Sequence, residues 1–134
     1  MPPTDLKQRT KKFALAIIFF VEALPKDETS RILGRQLLRS GTSVGANYRA
    51  AKRAKSNADF IAKMGIVEEE ADESGYWLEL LTDCGKTAAA KSAALLRESN
   101  ELVAIAVASI NTARQGPRNA ERGTGNAERS GPNA

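Results

Sequence analysis

The sequence predicts an all-α protein: an antiparallel up-down four-helix bundle followed by a disordered C-terminal tail. Three observations carry this. Apolar residues recur at three- and four-residue steps through four long segments. No run alternates apolar and polar residues as a half-buried strand would. Beyond Gln115 the chain has no Leu, Ile, Val or aromatic residue at all. A chain of 134 residues, 42% hydrophobic and 27% charged, fits one domain with a sizeable core. The predicted division is a bundle over residues 1–115 and a tail over 116–134.

The first helix is expected over residues 5–23. Thr4 or Asp5 can cap it, and Leu6, Phe13, Ile17, Phe20 and Leu24 make its apolar stripe, widened by Ala14, Ile18 and Val21. Pro25 ends it. Lys11 and Lys12 before nine apolar residues resemble a signal peptide, but Glu22 closes the run and no small-residue cleavage site follows before Pro25. The run also falls short of the ~20 residues a membrane span needs, so a buried amphipathic helix and a cytoplasmic location are expected.

The second helix is expected from Thr29 or Ser30 to about Lys55, with Leu33, Leu37, Val44, Tyr48 and Ala51 in one register. Ser40-Gly41-Thr42-Ser43 taken alone looks like a turn. The register nevertheless passes through without a slip, so one long helix is expected, kinked or straight. Gly34, Gly41 and Gly45 cluster on a helical wheel at the border of the apolar face, which suggests a groove that another helix approaches closely. Gly41 and Gly45 are therefore candidate interface residues.

The third helix opens on a capping box, Ser56 with Asp59. Phe60, Met64, Val67, Ala71, Ser74, Leu78 and Leu81 follow in strict four-three alternation, and Gly85 suits the position after its end. The fourth helix is expected over residues 87–113, with Leu95, Leu102, Ala106 and Ser109 on one side and Leu96, Val103 and Ile110 beside them. Asn-Ala-Glu-Arg occurs twice in the remainder, at 119–122 and 126–129, a low-complexity segment too polar to build a core. The same pattern also fits two helical hairpins exchanged between subunits.

Chemistry is constrained by what is missing. There is no His and one Cys, Cys84. The commonest general acid–base group and metal ligand are absent, and the thiol has no histidine to activate it. A buried or merely tolerated thiol, a reducing compartment, no enzyme, no cofactor and no metal are the expectations. Glu69, Glu70 and Glu73 share a helical face, but the Glu-x-x-His pairs of di-iron bundles cannot be made here. Gly41-Thr42-Ser43-Val44-Gly45 lacks the Lys and spacing of a phosphate loop.

Charge is sorted by helix. Residues 29–55 carry seven bases and no acid, whereas residues 56–83 carry eight acids and one base. Arg31, Arg35, Arg39, Arg49 and Arg53 fall within roughly 80° on the wheel, nearly opposite the leucine face. With Lys55 they form the candidate nucleic-acid surface, RNA or DNA, since an arginine stripe can track phosphates. The alternative is an adaptor in which this stripe pairs with Glu69, Glu70 and Glu73 of a neighbouring subunit or partner protein. A plain solvated face would be expected to mix signs.

Arg39-Ser40-Gly41-Thr42-Ser43-Val44-Gly45-Ala46-Asn47-Tyr48-Arg49, with Lys55-Ser56, Asp59-Phe60-Ile61, Lys63-Met64 and Glu69-Glu70-Ala71-Asp72-Glu73-Ser74-Gly75-Tyr76-Trp77-Leu78, resembles the bacterial proteins encoded in intervening sequences of 23S ribosomal RNA genes. The resemblance spans about residues 5–113 and is closest over 35–81. It implies an up-down four-helix bundle assembled as a homopentamer. It also implies kinship with the basic accessory proteins of diversity-generating retroelements, which bind nucleic acid and a reverse transcriptase. The family's basic positions correspond to Arg39, Arg49 and Lys55, and its acidic ones to Glu69, Glu70 and Glu73. Residues 87–94, rich in Ala and nearly uncharged, depart from the acidic start of helix 4 common in that family.

Overall fold

The computed structural model describes residues 5–123, with side chains through Gly116. Four helices follow in order: α1 (Leu6–Glu22), α2 (Glu28–Lys52), α3 (Asn57–Asp83) and α4 (Ala89–Gly123), with no strand among the described residues. Each helix packs along its chain neighbours, and α1 also touches α4, closing an up-down bundle. The short connections leave no room for any arrangement but antiparallel neighbours.

Local chemistry sets the boundaries. Asp5 caps α1, accepting from the Gln8 amide at 3.3 Å. Asp27, rather than Thr29 or Ser30, caps α2 and accepts from both the Ser30 amide (2.8 Å) and its hydroxyl (3.2 Å). The carboxylate satisfies a free first-turn amide and leaves Thr29 and Ser30 inside the helix. Ser56 caps α3 as expected, accepting from the Asp59 amide at 3.0 Å. The Asp59 carboxylate reaches back to the Lys55 amide, 3.3 Å, so α2 stops at Lys52 and residues 53–56 form the turn. At the other end of α3, Gly85 has φ +84°, and the amides of Gly85 and Lys86 close on the carbonyls of Thr82 and Leu81 in a Schellman motif. Cys84 caps that end and is exposed, so it is a tolerated thiol and not a buried one.

The helix continues through Gly41 without a break. The reason is the opposing surface. A Cβ on Gly41 would lie 2.9 Å from both Cγ1 and Cγ2 of Ile17, one on Gly45 would lie 3.1 Å from the Thr10 hydroxyl, and one on Gly34 would lie 3.1 Å from Leu24 Cδ1. The glycine edge is the groove into which α1 of the same chain settles. Gly41 and Gly45, expected at an interface with a partner, instead face α1 within the subunit.

Phe13, Ile17, Leu37, Val44, Ala51, Met64, Val67, Ala71, Leu78, Leu81, Leu102, Ala106 and Ile110 form one continuous core. The α3 stripe lies inward over its length, apart from a half-buried Phe60. On α4 the inward seam is Ser92, Ser99, Leu102, Ala106, Ile110 and Ala113: Leu102 and Ala106 lie inward as expected, whereas Ser99 and Ile110 take the places expected for Leu95 and Ser109, which are only half-buried. Small polar residues occur where helices approach closely. The Ser40 and Ser74 hydroxyls meet at 2.9 Å with both residues fully buried, and Gly75 lies against the Ser99 hydroxyl. Ser74 donates to the Glu70 carbonyl of its own helix at 2.9 Å and so accepts from Ser40, and Ser99 donates to the Leu96 carbonyl, which satisfies the buried polar atoms.

Among the described residues no helix is long and apolar enough to cross a membrane. The expected tail over 116–134 falls for the most part outside the described residues. The α4 helix extends beyond Ala113, to Gly123.

Candidate nucleic-acid interface

The basic face of α2 divides into two classes. Arg31 pairs with Glu28 on its own helix at 2.6 Å. Arg39 reaches across to α3, where its guanidinium binds Glu70 at 3.3 Å and also Glu73. Glu73 accepts a second bond from the Trp77 indole N–H at 2.9 Å. Burial pushes the Glu73 carboxyl up, but the Trp77 and Arg39 bonds outweigh it, and the group titrates below the ordinary glutamate range. The Arg39 guanidinium is correspondingly held above its usual value by the bond to Glu73. Arg35, Arg49, Arg53 and Lys55, by contrast, are exposed and have no carboxylate within ion-pair distance among the described residues.

Arg35 and Arg53 stand eighteen residues apart, five full turns and about 27 Å along α2. They therefore point the same way, with Arg49 one turn before Arg53. Burial of Leu37, Val44 and Ala51 fixes the inward face and with it this outward one.

The acids expected to meet a neighbour's arginines behave differently. Glu70 and Glu73 already hold Arg39 within the subunit, and Glu69 is exposed with no base within ion-pair distance among the described residues. Two of the three acids thus meet the arginine stripe within the subunit, through Arg39 alone. Two contacts had weaker signals. Trp77 lies four residues after Glu73, the spacing of helical neighbours, and could have been proposed as its donor. Arg9 binds Glu98 at 2.7 Å and Glu101 at 2.5 Å, tying α1 to α4 over 89 and 92 residues, and no local pattern announces it.

Among the described residues no three His, Cys, Asp or Glu side chains converge to hold a metal ion. The geometry offers Arg35 and Arg49 on α2, with Arg53 at its C-cap and Lys55 in the turn that follows, and such cations can neutralise phosphates without base-specific contacts.

The sequence matches the family described as 23S rRNA-intervening sequence protein over residues 4–108. The chain belongs to that family. A protein with unknown function from the S23 ribosomal protein family of Bacteroides thetaiotaomicron, whose crystal structure extends to 1.70 Å, is 36% identical. The match covers 78% of this chain and 96% of that one, with a TM-score of 0.73. The four-helix architecture of the family member described here therefore agrees with an experimental relative over nearly that relative's whole length. No curated protein matches the sequence.

Proposed function

We propose that this family member is a non-enzymatic, cytoplasmic, self-assembling bundle that binds nucleic acid, RNA foremost, through the outer face of α2. The observation that carries the proposal is the set of exposed cations without acid partners: Arg35, Arg49, Arg53 and Lys55. Of the acids that α2 meets, Glu28 is bound by Arg31 and Glu70 and Glu73 by Arg39, and none is bound by these four cations.

Self-association, as a pentamer by analogy with the resemblance noted above, draws on a second feature. Phe19 is 63% exposed, and Leu15, Ile32, Ile66, Tyr76 and Val107 are also exposed, so apolar area remains outside the monomer core. These residues are spread over all four helices, which suits head-to-tail contacts between unlike faces better than one self-complementary patch.

The test is fluorescence anisotropy of a duplex RNA titrated with protein over a range of salt. Binding should be largely sequence-independent and weaken steeply with salt. The triple variant Arg35→Gln, Arg49→Gln, Arg53→Gln should flatten the slope of log K against log salt by roughly three units, about one per lost contact. Light scattering on the same samples should report an unchanged oligomer. Absence of binding at low salt would refute the proposal, and loss of assembly in the triple variant would transfer the arginines to a protein contact.

A further inference from the structure

Folding brings a second basic group alongside α2. The Thr10–Gly45 and Ile17–Gly41 contacts set the level at which α1 and α2 run past each other. On that antiparallel scale Lys11 lies level with Gly45, Lys7 level with Arg49, and Arg53 one turn beyond. Direction follows from the same anchors. Thr10 faces α2, and Arg9 faces α4 through Glu98 and Glu101. At 100° per residue, Lys7 and Lys11 lie on the opposite side of Thr10 from Arg9, at the outer lip of the α1–α2 seam. From Gly45, Arg49 and Arg53 turn outward to the same lip.

The seam is closed by a glycine, so the two helix axes approach to about 8 Å, the short end of the ordinary range. Four cations therefore crowd a strip about 12 Å long. Residues 5–14 and 41–55 together hold eight bases against one acid, Asp5. That acid caps α1. Of the eight bases only Arg9 has a carboxylate partner among the described residues. The nearest acid of α3, Asp59, is bound by Lys63 at 2.6 Å and by the Lys55 amide, and those bonds hold its carboxyl below the ordinary range. Next to the strip, Lys52, Lys55, Ser56 and Asn57 rim a surface concavity of about 400 Å³.

Like charges at this density with no carboxylate partner raise the local positive potential and favour an anion with closely spaced charges. Each strand of a duplex carries one phosphate charge per ~3.4 Å of axis, comparable to four cations along about 12 Å. We infer that the nucleic-acid surface is not α2 alone but the outer lip of the α1–α2 seam, with Lys7 and Lys11 contacting the phosphodiester backbone beside Arg49 and Arg53.

This rests on the nucleic-acid reading of α2, and the experiment separates the two. Full-length wild type, Lys7→Gln/Lys11→Gln and the control Lys12→Gln/Lys91→Gln are titrated against one duplex in RNA and in DNA form across a salt series. The control removes the same charge, from the α1 side turned away from α2 and from the far end of α4. All substituted residues are exposed, and circular dichroism checks that each variant melts as wild type does. The seam variant should lose roughly two units of salt slope on both duplexes, about 0.9 per contact, and the control none. Equal slopes for wild type and the seam variant would overturn this inference while leaving the α2 proposal intact. Equal losses in seam variant and control would also overturn it, since the effect would then be net charge alone. A wild type that binds neither duplex removes both. A changed oligomer size in the seam variant would assign Lys7 and Lys11 to a subunit contact and equally refute the inference.

Discussion

Replacing Gly41 by Ala tests the closest helix contact in the bundle. Two opposing terms apply. A methyl on a helix-interior glycine gains about 1 kcal/mol of helix propensity. Here that methyl would lie 2.9 Å from Cγ1 and Cγ2 of Ile17 and 3.2 Å from its Cβ. Ile17 is fully buried, and the clashing atoms sit at the stiff, branched root of its side chain. Overpacking of this kind costs about 1–3 kcal/mol, so the net expectation is a loss of about 1 kcal/mol. Gly65 on α3 is the matched control, because a Cβ there meets nothing within 4 Å. Gly65→Ala should therefore gain about 1 kcal/mol. For a domain of this size the two thermal midpoints should part by roughly 8 °C, one above wild type and one below. Ile17→Ala alone should cost about 2–5 kcal/mol. In that background Gly41→Ala should turn stabilising, because the new methyl enters the space that Ile17 vacated, a coupling of about 2 kcal/mol. Calorimetry or thermal circular dichroism on the four proteins of this cycle and the control decides it. A Gly41→Ala midpoint that rises as much as that of Gly65→Ala would refute the close approach of α1 and α2.

Leu78→Ala removes a fully buried side chain from the α3 stripe and should cost about 2–5 kcal/mol by denaturant unfolding; a value near zero would mean that face is not in the core. Arg39→Gln should cost under about 1 kcal/mol, since its side chain is half-exposed, and light scattering should show unchanged assembly. Asp27, Asp59 and Glu73 all titrate lower in the fold than ordinary carboxylates, so each contributes stability that is present above its unfolded pKa, near 4, and lost as pH falls through the lower folded value. The thermal midpoint should accordingly drop from about pH 5 downward, and Glu73→Gln should flatten that drop; an unaltered acid profile would dismiss the Trp77–Glu73–Arg39 arrangement.

The four-three spacing of Phe13 and Ile17 on α1, Leu37 and Val44 on α2, Met64, Val67, Leu78 and Leu81 on α3, and Leu102 and Ala106 on α4 determined four helices and most of their inward faces, because a helix must bury whichever stripe its sequence makes apolar. Caps were legible for the same local reason. Ser56 and Asp59 lie within one turn, and Gly85 answers a backbone φ that other residues rarely adopt. The arginine stripe was legible as a direction, since opposition to the leucine face needs only the helical period. Tertiary structure alone decided which helix fills the glycine groove, which carboxylates Arg39 and Arg9 find, and which cations are left over. Those answers depend on the level and rotation at which separate helices meet. Gly41 against Ile17, Arg9 against Glu98 and Lys7 beside Arg49 join residues 24 to 89 positions apart, and each helix's own periodicity is satisfied equally by several such alignments. Close packing at the glycines and serines, where a single methyl is felt, selects one alignment and so turns a stripe of like charges into paired and unpaired halves.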